Sequence, residues 1–209
     1  AMTGLRPVVE LMYSDFELQA GDQLWNQAAK WSYMSGGQTA VPMVIRSSVG
    51  AGKGYGGQHS QSLESHSTHT PGLKVVYPST PYDAKGLLKT AIRDDNPVLF
   101  CESQALYNEM GEVPAEDYTI PFGVAAVRRE GGDVTIVAWG KVAQDALEAA
   151  EILEREHDIS AEVIDPRTLV PFDYDTVVRS VQKTGRAIVA SQACRTGSYT
   201  GEIASQIQE

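Results

Sequence analysis

Histidine is the side chain that gives or takes a proton near neutral pH. His59 stands in the polar run Gln58-His59-Ser60-Gln61-Ser62, directly behind Gly50-Ala51-Gly52-Lys53-Gly54-Tyr55-Gly56-Gly57. Glycine permits positive φ and close approach of backbone to a flat ligand. The pair of segments reads as a loop that sets one imidazole against a bound molecule, ready for acid, base or hydrogen-bonding work. His66 and His69 follow closely, which raises a zinc cluster. Zinc sites usually add a further Cys or His at a recognisable spacing, and Cys101 is distant, so these two histidines read as structural or interface residues. Ser60 and Ser62 flank His59 without the Gly-x-Ser-x-Gly elbow of a nucleophilic serine. Gly52-Lys53 is no phosphate loop: Ser47 stands where the first glycine belongs, and Gly54 follows the lysine in place of Ser or Thr. No strand-to-helix Gly-x-Gly-x-x-Gly is present either.

Two other places carry chemistry less specifically. Phe16 opens a helical pattern, where core packing is the ordinary fate of an aromatic. Ala91-Ile92-Arg93-Asp94-Asp95-Asn96-Pro97 ends a helix and enters a strand. Carbonyls there lack intrahelical partners, and with an Asp or Asn oxygen they suit either an ordinary cap and turn or a hard cation.

The elements that must hold these residues follow from periodicity. Val8–Met12 predicts a short buried strand. Asp15 to Tyr33 predicts a helix, from Phe16, Ala20, Leu24, Ala28 and Trp31 at three-to-four spacing, with Asp15 as N-cap and Gly36-Gly37 as stop. Val41–Arg46 predicts a strand, and residues 47–73 a long loop with a helical turn near Ser60–His66. Strands at Lys74–Tyr77 and Pro97–Cys101 bracket a helix from Thr80-Pro81 to Arg93. Residues 102–124 lose periodicity and read as a linker. A second series follows: strand Asp133–Trp139, helix Val142–Glu156, strand Ala161–Asp165, helix Asp173–Lys183, strand Ala187–Ala190 and a helix from about Thr200. Alternation of strand and helix predicts α/β architecture with mainly parallel sheets.

Composition bounds the function. The formal net charge of −10 argues against nucleic acid as the main partner, which wants clustered Lys and Arg. Two cysteines make no disulfide framework, so a reducing compartment is expected. No apolar run reaches the roughly 20 residues of a membrane span.

Read together, the His59 loop, Pro71-Gly72-Leu73-Lys74-Val75-Val76, Pro78-Ser79-Thr80-Pro81-Tyr82-Asp83-Ala84-Lys85-Gly86-Leu87-Leu88 and Val163-Ile164-Asp165-Pro166-Arg167-Thr168-Leu169-Val170-Pro171 carry a resemblance that covers nearly the whole chain. It resembles the β subunits of the thiamine-diphosphate-dependent decarboxylase component of 2-oxo-acid dehydrogenase complexes. Pro166 departs from the family's usual Leu. Ser191-Gln192-Ala193 stands where many relatives have His-Glu or Gln-Glu, which puts any acidic contact there in doubt.

The resemblance implies two doubly wound domains, a transketolase-like pyrimidine-binding domain (1–101) and a transketolase C-terminal-like domain (125–209), joined by the linker 102–124. It implies that the chain holds the later part of the first and the earlier part of the second. It implies that Met12 and Phe16 pack against the cofactor's aminopyrimidine and that His59 faces the substrate. A structural potassium ion would draw oxygens from Met43, Ala91, Ile92, Asp94 and Asn96. The implied reaction is oxidative decarboxylation of a 2-oxo acid, pyruvate by default, with the acyl group passing to a lipoyl acyltransferase core. Branched-chain 2-oxo acids and acetoin are the alternatives. The implied partner is an α subunit in a two-α, two-β heterotetramer, holding magnesium and the diphosphate, in bacterial cytoplasm or mitochondrial matrix. In the family the Glu that protonates the pyrimidine lies just upstream of the segment matching Ala1–Gly4. A non-catalytic scaffold of the same fold is the competing reading, and transketolase-like sugar-phosphate transfer is a third.

Overall fold

The computed structural model describes residues 1–209. Its strands are β1 (Val8–Leu11), β2 (Val44–Val49), β3 (Lys74–Val76), β4 (Val98–Ser103), β5 (Ala126–Arg129), β6 (Val134–Ala138), β7 (Ala161–Asp165), β8 (Thr168–Val170) and β9 (Ala187–Ala190). Its helices are α1 (Ala29–Met34), α2 (Glu64–Thr68), α3 (Pro81–Arg93), α4 (Lys141–His157), α5 (Tyr174–Thr184) and α6 (Tyr199–Gln208). The strands form two sheets, ordered β1-β2-β4-β3-β8 and β5-β7-β6-β9. All pairings are parallel except β3 with β8 and β5 with β7. The architecture is the expected one, α/β in two domains with mainly parallel sheets.

Local signals explain the helices that position the site. The Thr80 side chain accepts from the Asp83 N–H, and Pro81 begins α3 at a position where its missing N–H leaves no intrahelical bond unmade. α3 packs Leu87 and Ala91 onto Val76, Val98 and Phe100 of the first sheet. Fully burying Leu87 or Phe100 contributes roughly 1.5–3 kcal/mol each. Residues 102–124 are no free tether. Ser103 ends β4, Gln104–Leu106 forms a 3₁₀ turn, and Tyr118, Ile120 and Phe122 lie on α3, over Gly86, where a Cβ would strike Tyr118 and Ile120. In the second unit α4 presents Ala143, Ala146 and Ala150 to the sheet, so helix and strands approach closely. Asp173 caps α5, Gly185 ends it in the left-handed region, and Ser198 caps α6.

Several local expectations are corrected. β1 is exposed, not buried: it is the outermost strand, and Val8 and Val9 are open to solvent. The single helix expected over Asp15–Tyr33 breaks into a 3₁₀ turn (Ser14–Leu18), a π-helical stretch (Asp22–Ala28) and α1. Asp15 is not an N-cap but a buried residue inside the 3₁₀ turn. β2 starts three residues later than predicted, at Val44, because it aligns with Val98 of β4. Strands β5 and β8 were not predicted. β8 leaves the second unit and pairs Val170 with Val75 of the first sheet. One apolar cluster accordingly joins Leu73, Val75 and Leu99 to Trp139, Leu169 and Ile203.

Candidate functional site

β1 and β2 run parallel, so their C-terminal ends open on the same edge of the first sheet. In open α/β sheets that edge is where ligands bind. The chain leaving β1 turns through Ser14–Leu18, and the chain leaving β2 enters the glycine loop. The two meet as a wall of rings. His59 lies edge-on to Tyr13 at 4.5 Å and to Phe16 at 5.4 Å between centroids, and Tyr55 lies edge-on to Tyr13 at 5.9 Å. Phe16 and His59 are half-buried, while Met12, the residue after β1, is 69% exposed. Edge-on rings beside an exposed thioether present a flat apolar contact with one polar edge.

Hydrogen bonds fix the loop to the turn. Ser14 Oγ donates to the Gln61 carbonyl at 2.7 Å, and Gln61 Nε2 donates to Asp15 Oδ1 at 2.6 Å. Gln104 Nε2 donates to the His59 carbonyl at 2.9 Å, which holds the backbone beneath the imidazole. The Gly50 N–H donates to the Gln61 carbonyl at 3.0 Å and closes the loop at its base. Gly50 has φ of +92°, a conformation that strains any other residue, and Gln192 Oε1 fills the space where a Cβ would stand.

Behind the rings lie two buried acids. Glu17 is fully buried and Glu64 is 2% exposed. Ser47 Oγ donates to Glu17 Oε1 at 2.6 Å, and Ser67 Oγ reaches Oε2 at 3.5 Å. Burial pushes the Glu17 carboxyl up to about 7, against the hydrogen bond from Ser47. Burial also raises Glu64, whose Oε1 takes a long bond from Trp139 Nε1 and whose Oε2 has no partner.

The residues expected around a cation gather at a different corner, the C-terminus of α3. Arg6 Nη1 donates to the Ile92 carbonyl at 3.3 Å and to the Asp94 carbonyl at 2.8 Å, and the same guanidinium pairs with Asp95. The Met43 carbonyl accepts from the Val98 N–H at 2.9 Å, and the Ala91 carbonyl from the Asp94 N–H at 3.3 Å. Burial favours the neutral Asp94 carboxyl, but Lys74 and the Asn96 side chain and N–H hold it below the usual range. Convergence of the Ile92 and Asp94 carbonyls on one positive group fits a cation, and Arg6 supplies that charge.

The structure thus brings Phe16 and His59 together, while Met12, directly after β1, is open to solvent. It puts Met43, Ala91, Ile92, Asp94 and Asn96 at a different corner. His66 stacks on Trp25 at 5.6 Å, and His69 follows α2. No group of three or more His, Cys, Asp or Glu side chains is arranged to hold a metal ion. Sequence reasoning missed Tyr13, Tyr55, Gln104 and Glu17. Tyr55 had a visible signal, as the one aromatic among glycines. The other three depend on contacts between segments far apart in sequence.

Comparison with known proteins identifies both units of the fold. Residues 1–110 match the model for the transketolase pyrimidine binding domain, and residues 123–209 the model for the transketolase C-terminal domain. All 209 residues align at 51% identity with an acetoin:2,6-dichlorophenolindophenol oxidoreductase subunit beta of Cupriavidus necator, covering 62% of that protein. A pyruvate dehydrogenase E1 component subunit beta of Rhizobium meliloti is 47% identical over the whole of this chain and 45% of its own length. A solved split-gene transketolase, described as an inactive beta4 tetramer, superposes with a TM-score of 0.81 at 25% identity, over 99% of this chain and 64% of that one. The chain therefore spans less than two thirds of these proteins. It belongs to the transketolase family, with a pyrimidine-binding domain followed by a transketolase C-terminal domain, and its relatives include β subunits of 2-oxo-acid dehydrogenase first components.

Proposed function

We propose that this chain forms part of the β subunit of a thiamine-diphosphate-dependent 2-oxo-acid dehydrogenase, and that Met12, Phe16 and His59 make the face it offers to the cofactor. The observation that carries this is the edge-on contact of His59 with Phe16 and Tyr13 at the carboxyl ends of two parallel strands. When bound, thiamine diphosphate supplies the carbanion chemistry, and the protein orients it and controls protons. Phe16 and Met12 would pack flat against the pyrimidine and exclude water from it. The His59 imidazole, flanked by the Tyr13 and Phe16 rings and carried on a backbone that Gln104 fastens, would donate a proton on the substrate side or steady developing negative charge.

The α subunit would hold magnesium and the diphosphate, in a two-α, two-β assembly that feeds a lipoyl acyltransferase core. A potassium ion at the α3 corner would use the oxygens of Met43, Ala91, Ile92, Asp94 and Asn96, with Arg6 moved to Asp95 alone.

Pyruvate remains the proposed substrate. Acetoin is the second reading, favoured by 51% identity to an acetoin-acting relative against 47% to a pyruvate-acting one. Both deliver a two-carbon acyl unit, so one pocket would serve either. The test assays full-length β subunit with its α partner on pyruvate, acetoin and a branched-chain 2-oxo acid. Acyl transfer to lipoyl is expected to fall about 10²–10⁴-fold in His59→Ala, with thiamine diphosphate affinity unchanged. Wild-type turnover in that variant would remove His59 from the mechanism. Absence of turnover on every substrate, with cofactor bound, would favour the scaffold reading.

A further inference from the structure

The second sheet reverses its strand order beside β6. From β6 the chain crosses to β7 on one side, and β9 later joins β6 on the other, parallel to it. The crevice outside the carboxyl ends of two such strands is where a doubly wound sheet holds its ligand. Here the residues that leave those ends meet the first unit. Trp139, directly after β6, donates from Nε1 to Glu64 Oε1 at 3.4 Å. A Cβ on the next residue, Gly140, would strike the Tyr77 ring. Gln192, two residues after β9, has its amide where a Gly50 Cβ would stand. Gly50 and Glu64 bound the His59 segment, which has no regular structure between β2 and α2. We infer that the switch-point crevice of the second unit is a socket for the first: Trp139, Gln192 and the start of α6 are positioning groups that hold both ends of the His59 loop.

The start of α6 supplies the third contact. The first N–H groups of a helix have no intrahelical partner. Ser198 takes the Thr200 N–H, and Ser65, from the first unit, takes the Tyr199 N–H at 3.1 Å. Glu64 and Ser65 are adjacent in the first turn of α2, so the indole and the helix end grip consecutive residues. Trp139 and Glu64 are both buried, and Trp139 lies in the apolar cluster that joins the two units. The Gly50 N–H donates to the Gln61 carbonyl, so the two held ends also meet each other. Gln104 fastens the backbone at His59, and the socket fastens the base from which that backbone starts. A small displacement of a group that acts on substrate is costly in rate, even when its cause lies far from the chemistry.

The catalytic consequence rests on the cofactor-face reading, so the test is made first on the loop itself. Hydrogen exchange of the full-length protein without cofactor is compared in Ser65→Ala, Ser65→Thr and Gln192→Ala. The peptide covering residues 50–63 is expected to exchange several-fold faster in both alanine variants. It should keep the wild-type rate in Ser65→Thr, which retains a hydroxyl for the Tyr199 N–H. The peptides of β2 and β4 should not change in any of the three. Wild-type exchange at 50–63 in either alanine variant would overturn the proposal. So would acceleration that persists in Ser65→Thr, or that spreads evenly over both sheets. Gln192 is exposed, so its variant decides if Ser65→Ala does not fold. With the α partner added, the alanine variants should also lose acyl transfer several-fold in kcat. Faster loop exchange with wild-type turnover would support the socket and count instead against the proposed role of His59.

Discussion

Two places in this molecule bury a pair of acids, and they are managed in opposite ways. Between the two sheets, Asp83 of α3 and Asp165 of β7 are fully buried, yet Arg128 reaches both carboxylates, at 2.7 Å from Asp165. Ser79 also bonds Asp165, and Arg167 Nε lies 2.9 Å from Asp83 Oδ1 as an ion pair, though without hydrogen-bond alignment. Behind the His59 wall, Glu17 and Glu64 have hydroxyls and indoles but no cation. The first pair is a fastening between units, each carboxylate set against guanidinium, although burial still raises Asp165. In the second, burial pushes Glu17 up to about 7 and also raises Glu64. The difference lies in neighbours and not in burial, since both pairs are equally enclosed.

The largest expected effect breaks the compensated pair. Arg128→Met leaves buried Asp165 without a cation and Asp83 with Arg167 alone, and should cost about 3–5 kcal/mol, read as a lower denaturant midpoint. A loss below 1 kcal/mol would mean that Arg167 alone suffices and that the contrast is overstated.

The uncompensated pair gives the next largest. A Glu whose folded-state value is about 7, against an ordinary value near ~4.3, binds its proton more tightly folded than unfolded. Its contribution is complete below the unfolded value and is lost as pH rises through the folded one. Stability should fall by up to about 3 kcal/mol between pH 4.5 and 8 from this group. Glu17→Gln should flatten that slope in urea titrations at stepped pH.

The smallest effect sharpens the comparison at the α3 corner, where a guanidinium faces carbonyls. Arg6 is half exposed there, so Arg6→Ala should cost only about 1 kcal/mol. If potassium takes over the site, replacing sodium with potassium should restore the melting temperature of Arg6→Ala. No difference between the two salts would leave Arg6 as the sole counter-charge.

How much of this was legible in the sequence depended on range. α3 and α5 announced themselves because Thr80-Pro81 and Asp173 are local cap chemistry. The pairing of Phe16 with His59 came from family resemblance, since nothing in spacing links a turn after β1 to a loop after β2. β8 was unreadable: three residues carry no period, and Val170 finds its partner in Val75, far back in the chain. Glu17 was hidden by the distance of its partners. Its spacing of three and seven to Ala20 and Leu24 puts it on the apolar face even of an unbroken helix, but the hydroxyls that meet it, Ser47 and Ser67, come from segments far along the chain.

The β3–β8 pairing has a consequence for biosynthesis. The first sheet cannot close its outer edge until Thr168–Val170 has left the ribosome, so the two units do not mature one after the other as beads on a string. The nascent first unit waits with β3 unpaired on that side, a template that any passing extended segment could occupy. A first unit made without Thr168–Val170 would keep that edge of β3 open, through the lack of three residues borrowed from the second.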